Sequence, residues 1–239
     1  MKNTQIIASL ILVLAVCFSA AAQTENTTNV PKRKLNSRIA VGFDVPILVD
    51  NSEFSDFMSN QFQMEAPSAL FGSTLSVGWN FSKSKRWFWD ISIGVRSSNR
   101  SKDNITRNWT QAYFPLRFSY AILDNNSFRL SPFAGINYRV NQLYYCDMRS
   151  IGNLNQITEI LETSFTSFNL AQWSVGCEFG LQFDFKVDDP STRLNPQFSA
   201  FVKWEQSFHN SNWHLEKFEI RDIPKFQNNA LTIGILIGI

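Results

Sequence analysis

Apolar and polar residues alternate along much of this chain, most clearly between Trp173 and Lys186. Every second residue of that segment is apolar: Trp173, Val175, Cys177, Phe179, Leu181, Phe183 and Phe185. The residues between them are polar or glycine. A period of two residues is typical of an extended strand with one apolar and one polar face. The segment is therefore predicted to be a β-strand.

The same alternation returns in eight segments, each rich in β-branched residues, aromatic residues and serine. The predicted strands are 37–49, 69–81, 86–98, 110–123, 127–141, 172–187, 196–208 and 229–239. An even number of strands with two chemically different faces is typical of bacterial barrels. We predict an all-β fold, an eight-stranded antiparallel up-and-down transmembrane β-barrel over 37–239.

The predicted connections alternate between short and long. The short ones are 82–85, 124–126 and 188–193, and the long ones are 50–68, 99–109, 142–171 and 209–228. A short helix is predicted over 157–165. Short turns at one rim and long loops at the other are typical of an outer-membrane barrel with periplasmic termini. The pattern is also compatible with ten strands, if part of 142–171 is paired.

Side-chain size indicates which face lies inside the barrel. All but Gly152 of the ten glycines have the parity of the polar face: Gly42, Gly72, Gly78, Gly94, Gly135, Gly176, Gly180, Gly234 and Gly238. An eight-stranded barrel has room for little more than its own side chains, so small residues belong inside. The polar face is therefore predicted to line the lumen.

Large aromatic residues have the opposite parity and lie near the strand ends. One predicted girdle, next to the short turns, contains Trp79, Phe81, Trp87, Trp89, Tyr120, Phe128, Phe183, Phe185 and Phe198. A second, near the long loops, contains Phe71, Tyr138, Trp173, Trp204 and Phe208. Two aromatic girdles are typical of a barrel that crosses a membrane.

The inward face also carries charges of both signs. They are Arg38, Arg96, Arg117, Arg129, Arg139, Lys186 and Lys203, with Asp44, Asp90, Glu178, Asp184 and Glu205. Buried charges need partners, so these residues are predicted to form a network that fills the lumen. An open channel is not expected, because porin-like channels need about twice as many strands.

The N-terminus has the layout of an exported protein. Lys2, an uncharged run over 6–18 and Ala20-Ala21-Ala22 predict a cleaved signal peptide over 1–22. Residues 23–36 are predicted to be a flexible periplasmic leader. Cys17 leaves lipidation open as an alternative. The formal net charge of +2 provides no basic excess for nucleic acid.

Three strands resemble those of a known family. Tyr113-Phe114-Pro115-Leu116-Arg117-Phe118-Ser119-Tyr120, Pro132 to Tyr138 and Asn229 to Gly234 resemble strands of PorT-like outer-membrane barrels of Bacteroidota. The resemblance covers about 37–239 and implies an eight-stranded barrel, in a few members linked to protein secretion. The terminal Ile239 departs from the aromatic residue that commonly ends such chains.

The chain offers few residues for catalysis. Its two histidines, His209 and His214, lie in the last long loop, where His209-Asn210-Ser211-Asn212 resembles a motif of outer-membrane lipid A deacylases. Glu216 or Glu219 is a conceivable third member of a Ser-His-acid set. His209 has inward parity if its strand is unbulged, whereas a lipid-directed site needs outward residues. We predict no catalytic, cofactor-binding or metal site, and no cofactor.

These patterns predict a non-enzymatic integral protein of a Gram-negative outer membrane. Its expected partners are outer-membrane lipid and an envelope or extracellular protein, bound through loops 50–68, 142–171 and 209–228 as an interaction or adhesion surface. A role as a secretion-system accessory is a second hypothesis. A lipid A deacylase-like hydrolase and a soluble lipocalin-like carrier are the alternatives.

Overall fold

The structure is a computed structural model that describes residues 37–80, 86–124, 127–148, 166–186, 197–216 and 218–238. Eight long strands are present: β1 Ser37–Val49, β2 Phe71–Asn80, β3 Trp87–Lys102, β4 Ile105–Tyr120, β6 Phe128–Asp147, β7 Thr166–Lys186, β8 Gln197–Asn210 and β11 Asn229–Gly238. The remaining elements are short: α1 Ser52–Phe62, β5 Leu123–Asp124, β9 Trp213–Leu215 and β10 Phe218–Ile220. The predicted signal peptide and leader, 1–22 and 23–36, lie outside the described residues.

The eight long strands form a closed antiparallel barrel. Each pairs with the next along the chain, in the order β1, β2, β3, β4, β6, β7, β8 and β11. β1 closes the ring, since Ala40 lies opposite Ser76 of β2 and also opposite Gly238 of β11. Closure pairs both edges of every long strand. The predicted eight-stranded barrel is confirmed, and the ten-stranded alternative is wrong.

The prediction of a long loop over 99–109 is wrong. β3 and β4 pair up to Lys102 and Ile105, so only Asp103 and Asn104 connect them. Their φ angles are 50° and 62°. Two consecutive positive φ values are typical of a type I′ hairpin turn, which Asp and Asn tolerate better than other non-glycine residues. The polar composition of this segment reflects two extended strands with a polar outer face.

The predicted loop 142–171 is also shorter than expected. β6 and β7 pair until Asp147 lies opposite Thr166, so the connection is reduced to 148–165. The helix predicted over 157–165 lies outside the described residues, as do the turns predicted at 82–85 and 188–193. At the third short turn, Asp124 of β5 pairs back with Arg129 of β6.

The two faces of the barrel have the predicted parity. Of the charged residues predicted to face inward, Asp44, Asp90, Arg96, Arg117, Arg139, Glu178, Asp184, Lys203 and Glu205 are buried. Arg38 and Arg129 are partly exposed near the short turns, and the side chain of Lys186 lies outside the description. The glycines face the same way: a Cβ atom on Gly135 would lie 2.4 Å from the Leu116 carbonyl oxygen.

The helix α1 occupies a segment that was predicted to be a loop. Glu53 lies in its first turn, and Gln63 ends it with a φ of 54°. Phe54 and Met58 are four residues apart, so they share one face of the helix, and both are buried. This face packs into the mouth of the barrel at the long-loop rim.

Candidate functional site

The middle of the lumen is filled by a cluster of buried, balanced charges. Four cations face four carboxylates: Arg96, Arg117, Arg139 and Lys203 with Asp44, Asp90, Glu178 and Glu205. They come from β1, β3, β4, β6, β7 and β8, so the cluster joins strands on opposite sides of the ring. Its formal charge is therefore zero.

Glu205 is the most connected carboxylate of this cluster. Its oxygens lie 2.7 Å from Arg96 Nη2, 3.0 Å from Arg139 Nη2 and 2.9 Å from Lys203 Nζ. The Thr232 hydroxyl donates a further hydrogen bond of 3.0 Å. Arg96 also pairs with Asp44 at 2.6 Å. Each buried charge at this point consequently has a partner of opposite sign, as burial requires.

Tyr113 lies against the same cluster and is fully buried. Its hydroxyl donates to Glu178 and accepts a hydrogen bond from Lys203 Nζ. The guanidinium carbon of Arg96 lies 4.0 Å from the centre of its ring, and Lys203 Nζ lies 4.5 Å from it. Tyr113 thus contacts the charges through both its hydroxyl and its ring, and it fills the axis of the barrel.

A layer of amides lies between the charges and the long-loop rim. Arg96 Nη1 donates to Gln111 Oε1 at 3.1 Å, and Gln111 Nε2 donates to Asn141 and Asn228 at 2.9 and 2.8 Å. Asn228 donates in turn to the Ser174 hydroxyl at 2.9 Å. Hydrogen bonds therefore continue from the charge cluster to the beginning of β11.

An apolar cap covers this layer. It consists of Phe54, Met58, Leu70, Trp109, Leu143, Leu170, Trp213 and Phe226, none more than 3% exposed. The Phe54 ring lies 5.5 Å from Trp213 and 5.4 Å from Phe226, measured between ring centres. The cap brings together α1, the residue before β2, three barrel strands, β9 and the segment before β11. It separates the polar lumen from the solvent at this rim.

Polar contacts fix the cap to the barrel wall. The Arg100 guanidinium donates to the Glu65 carboxylate, and this hydrogen bond lowers the pKa of Glu65. Arg107 donates to the backbone carbonyl of the same residue and to the Ser98 hydroxyl. The segment that follows α1 is therefore bound to β3 and β4.

The outer face of the barrel is an exposed apolar band. Its members include Val41, Phe43, Ile47, Ile91, Phe114, Phe118, Ile136, Phe179, Leu181, Val202, Leu231, Ile233, Ile235 and Ile237, each at least 38% exposed. These residues come from β1, β3, β4, β6, β7, β8 and β11, which are seven of the eight long strands. Soluble proteins rarely expose such a surface, since even their largest apolar patches cover only a few hundred Å².

Aromatic residues border the band at the short-turn rim. Trp79 lies 4.8 Å from Trp89, and Trp87 lies 4.8 Å from Tyr120, between ring centres. Phe185 and Phe198 are about half exposed. The outward parity predicted for this girdle is confirmed, apart from Phe81, which lies outside the described residues.

At the long-loop side of the apolar band, the outward residues of four neighbouring strands change from mostly apolar to mostly polar at the same height. In one row across β3, β4, β6 and β7, the outward residues are Val95, Ala112, Val140 and Trp173. Two residues nearer the long-loop rim, the row is Ser97, Thr110, Gln142 and Ala171. The four strands continue past this border for several residues, and their outer face there is uncharged and mostly polar.

His209 and Ser211 do not form a catalytic pair. The β7–β8 register shifts between Val175 and Gly176, and this irregularity turns His209 outward, against the inward parity expected for an unbulged strand. The His209 ring lies 4.8 Å from the Trp173 ring. The Ser211 hydroxyl is buried, donates to the Asn212 carbonyl at 2.8 Å and accepts from the Trp173 amide at 3.0 Å.

Glu219, one of the conceivable acids of that set, lies opposite His214 in the pairing of β9 with β10. Glu219 binds Asn212 and Arg221, and the hydrogen bond from Asn212 lowers its pKa. Glu216 has a positive φ at the end of β9. Within the described ranges, no group of three or more His, Cys, Asp or Glu residues is placed to hold a metal ion. Among all the residues that the structure describes, no helix is both long and apolar enough to cross a membrane.

The sequence missed the apolar cap because all its residues except Leu70 lie in segments predicted to be loops. Phe54 and Met58 have helical spacing within 50–68, which was an available indication of α1. Trp109 was assigned to a loop, although it continues the inward parity of Gln111 and Tyr113. Trp213 and Phe226 carried no comparable pattern.

The similarities of this chain to known proteins are confined to solved structures of low sequence identity. No protein-family model and no curated protein matches the sequence. Among solved structures, the attachment invasion locus protein Ail of Yersinia pestis is similar at a TM-score of 0.42 and 12% identity, over 84% of this chain and 94% of that one. A major outer membrane protein from Thermus thermophilus reaches 0.44 and 12%, over 85% and 100%. Neisserial surface protein A reaches 0.42 and 10%, over 84% and 95%. Similarity at this level carries no argument about function.

Proposed function

We propose that this protein is a non-enzymatic integral barrel of a Gram-negative outer membrane, in which the barrel acts as a membrane anchor. The observation that carries the proposal is the exposed apolar band, to which seven of the eight long strands contribute. A closed barrel satisfies all its backbone hydrogen bonds internally, so it can place such a surface in hydrocarbon. The aromatic girdle and the polar row at Ser97 are the expected borders of the membrane-spanning zone.

The distribution of charge argues against the soluble lipocalin-like alternative. A soluble carrier places apolar residues in the lumen and polar residues outside, whereas here the lumen holds Arg96, Lys203 and Glu205. In a soluble protein, the apolar outer surface would be in water, which is unfavourable. A membrane environment removes this cost.

The packed lumen supports an anchor rather than a channel. The charge cluster and the amide layer fill the axis, and the apolar cap covers them at the long-loop rim. Ions that crossed the lumen would have to displace several mutually satisfied charge pairs. We therefore propose that interactions occur on the outside of the molecule.

We propose that a protein partner binds to the loops of this barrel. The structure shows which loop side chains are buried and therefore cannot contact it. Phe54 and Met58 of 50–68, and Trp213 and Phe226 of 209–228, are buried in the cap, so these side chains are not available to a partner. Interaction or adhesion through the loops 50–68, 209–228 and the 148–165 part of the predicted loop 142–171 is the first hypothesis. Membership of the PorT-like family of Bacteroidota, with a secretion-accessory role, is the second. Both hypotheses include export of the protein through a cleaved signal peptide over 1–22.

A fractionation experiment tests the membrane assignment. Envelopes from cells expressing the full chain are washed with urea, and the retained protein is compared by electrophoresis with and without boiling. We expect the protein to stay in the membrane and to migrate differently when unboiled, because a closed barrel resists detergent at room temperature. Release by urea together with identical mobility would refute the proposal and favour the soluble carrier.

A further inference from the structure

Beyond the membrane border, β3, β4, β6 and β7 form a wall whose outer face has a distinct composition. We call the following residues the outer wall patch: Ser97, Asn99, Ser101, Thr106, Asn108, Thr110, Gln142, Tyr144, Ser167 and Asn169. They lie in adjacent rows of the β-ladder, for example Asn99, Asn108, Tyr144 and Asn169 across the four strands. All are uncharged, and all except Tyr144 are hydroxyl or amide residues. The same rows also contain Ala171 and the buried Cys146.

The outer wall patch has a rigid backing. The inward residues of the same strands, Trp109, Leu143 and Leu170, are fully buried in the apolar cap. Ile105 and Tyr145 are buried beneath Met64 in a second apolar cluster. The polar groups on the outside are therefore held in fixed positions, which reduces the entropy lost when a ligand binds.

The chemistry of the outer wall patch indicates what it can bind. Hydroxyl and amide groups both donate and accept hydrogen bonds without a charge, as sugar hydroxyls do. Two side-chain pairs lie within hydrogen-bonding distance in the patch, Ser101 with Thr106 at 3.2 Å and Thr110 with Asn108 at 3.4 Å. Phosphate or carboxylate ligands are disfavoured, because their recognition uses Arg or Lys. A protein partner would need a larger apolar centre.

Tyr144 supplies an aromatic surface in the middle of these polar groups. It is 43% exposed, and its row neighbours are Asn108 and Asn169. The face of an aromatic ring carries partial negative charge and attracts the polarised C–H groups on one side of a sugar ring. An exposed ring surrounded by amides and hydroxyls can bind the apolar face and the hydroxyl edge of one sugar together.

The position of the outer wall patch points to the source of the sugar. It begins two residues beyond the last apolar row and extends for about 13 Å along the strands. If the barrel lies in the outer membrane as proposed above, this height faces the saccharides of neighbouring lipopolysaccharide. We propose that the outer wall patch binds the neutral sugars of the oligosaccharide of that glycolipid. The inference rests on the proposed membrane location.

The barrel provides a matched pair of variants for the test. Tyr144 and Tyr138 are both on β6, both face outward and both are 43% exposed, but Tyr138 lies below the membrane border. The probe is the dephosphorylated oligosaccharide released from lipopolysaccharide and labelled with a fluorophore at its reducing end. Its anisotropy is followed as full-length protein in phospholipid nanodiscs is added.

The expected result is saturable binding to the wild-type protein and to Tyr138→Ala, with affinity at least about fivefold weaker for Tyr144→Ala. Intact lipopolysaccharide should displace the probe, and a soluble dextran should not. Binding should also be unchanged between roughly 0.05 and 0.5 M salt, because no charge is involved. Equal binding by Tyr144→Ala, displacement by dextran or a strong salt dependence would each overturn the inference.

The inference and the membrane assignment fail in different ways. Each nanodisc sample is first checked for the mobility shift of the unboiled barrel. A protein that shows this shift but does not bind the probe refutes only the sugar-binding inference. A protein that cannot be inserted refutes the proposed function as well.

Discussion

Asn51 and Gln227 form a two-point hydrogen-bonded pair although they are far apart in sequence. Asn51 Nδ2 donates to the Gln227 carbonyl at 2.8 Å, and the Gln227 amide donates to Asn51 Oδ1 at 2.8 Å. Asn51 precedes α1 in the position of a helix cap, yet its side chain makes no capping hydrogen bond. Its side chain instead joins the first long loop to the last.

This pair should stabilise the apolar cap. We expect Asn51→Ala to increase hydrogen exchange of the α1 amides about tenfold, since the loss of two part-buried hydrogen bonds costs roughly 1–2 kcal/mol. Hydrogen exchange with mass spectrometry measures the change. Asn60→Ala is the control, because Asn60 is exposed on the same helix and Ala favours the helical state. Equal exchange in the two variants would show that the pair does not hold α1 in place.

The central charge cluster should contribute strongly to stability. We expect Glu205→Gln to lower the free energy of unfolding by about 3–5 kcal/mol, because three buried cations lose their shared carboxylate. Urea titration of the refolded barrel, followed by loss of the unboiled electrophoretic form, measures the difference. Glu219→Gln is the matched control, since Glu219 pairs on the surface with the largely exposed Arg221. That variant should leave the urea midpoint unchanged, because exposed ion pairs contribute little to stability.

A smaller effect for Glu205→Gln than for Glu219→Gln would contradict the assignment of the lumen as a tightly paired network. It would mean that the lumenal cations find other partners when the carboxylate is removed. Arg96 would then rely on Asp44, from which it is 2.6 Å away.

The apolar outer band should not tolerate charge. Ile233 is 52% exposed and lies between Val45 and Val202 in the ladder. We expect Ile233→Lys to destabilise the folded barrel in lipid by about 2–4 kcal/mol. Phe218→Lys is the control, because Phe218 is 72% exposed in β10, beyond the barrel. Measurements of folded yield in lipid vesicles compare the two, and equal yields would argue against a lipid-facing band.

The lumenal glycines should differ in their tolerance of alanine. A Cβ atom on Gly180 would lie 2.3 Å from the Val202 carbonyl oxygen, whereas one on Gly78 would lie 3.3 Å from its nearest neighbour. No described glycine has a positive φ, so the limit is space. We expect Gly180→Ala to cost about 1–3 kcal/mol and Gly78→Ala to be nearly neutral. Unfolding in urea measures both, and similar losses would show that the strands move apart easily.

The local pattern of the sequence was sufficient for most of the barrel. Strand β1 was predicted with its observed bounds, and the inward parity of residues such as Arg96 and Glu205 followed from the period of two. This succeeds because strand geometry sends successive side chains to opposite faces, and the two faces here meet different surroundings. The glycine distribution then indicated which face is concave.

The alternation of apolar and polar residues gave wrong predictions where the outer face of a strand changes from apolar to polar, and where the pairing of two strands is irregular. Beyond the membrane border, the outer faces of β3 and β4 are polar, so Asn99 and Asn108 looked like loop residues. His209 was assigned an inward direction, but the irregular pairing near Gly176 reversed it. A register shift depends on the neighbouring strand, and alternation within a single strand contains no information about it.

The sequence by itself determined the antiparallel barrel and the chemistry of its two faces, and the tertiary structure decided between eight and ten strands. Only the tertiary structure decided how the lumenal charges pair, and it placed α1, Trp213 and Phe226 together as a cap. It also produced the outer wall patch, whose residues come from four strands. Periodicity is a property of neighbours along the chain, whereas pairing, capping and surface composition depend on residues that only folding brings together.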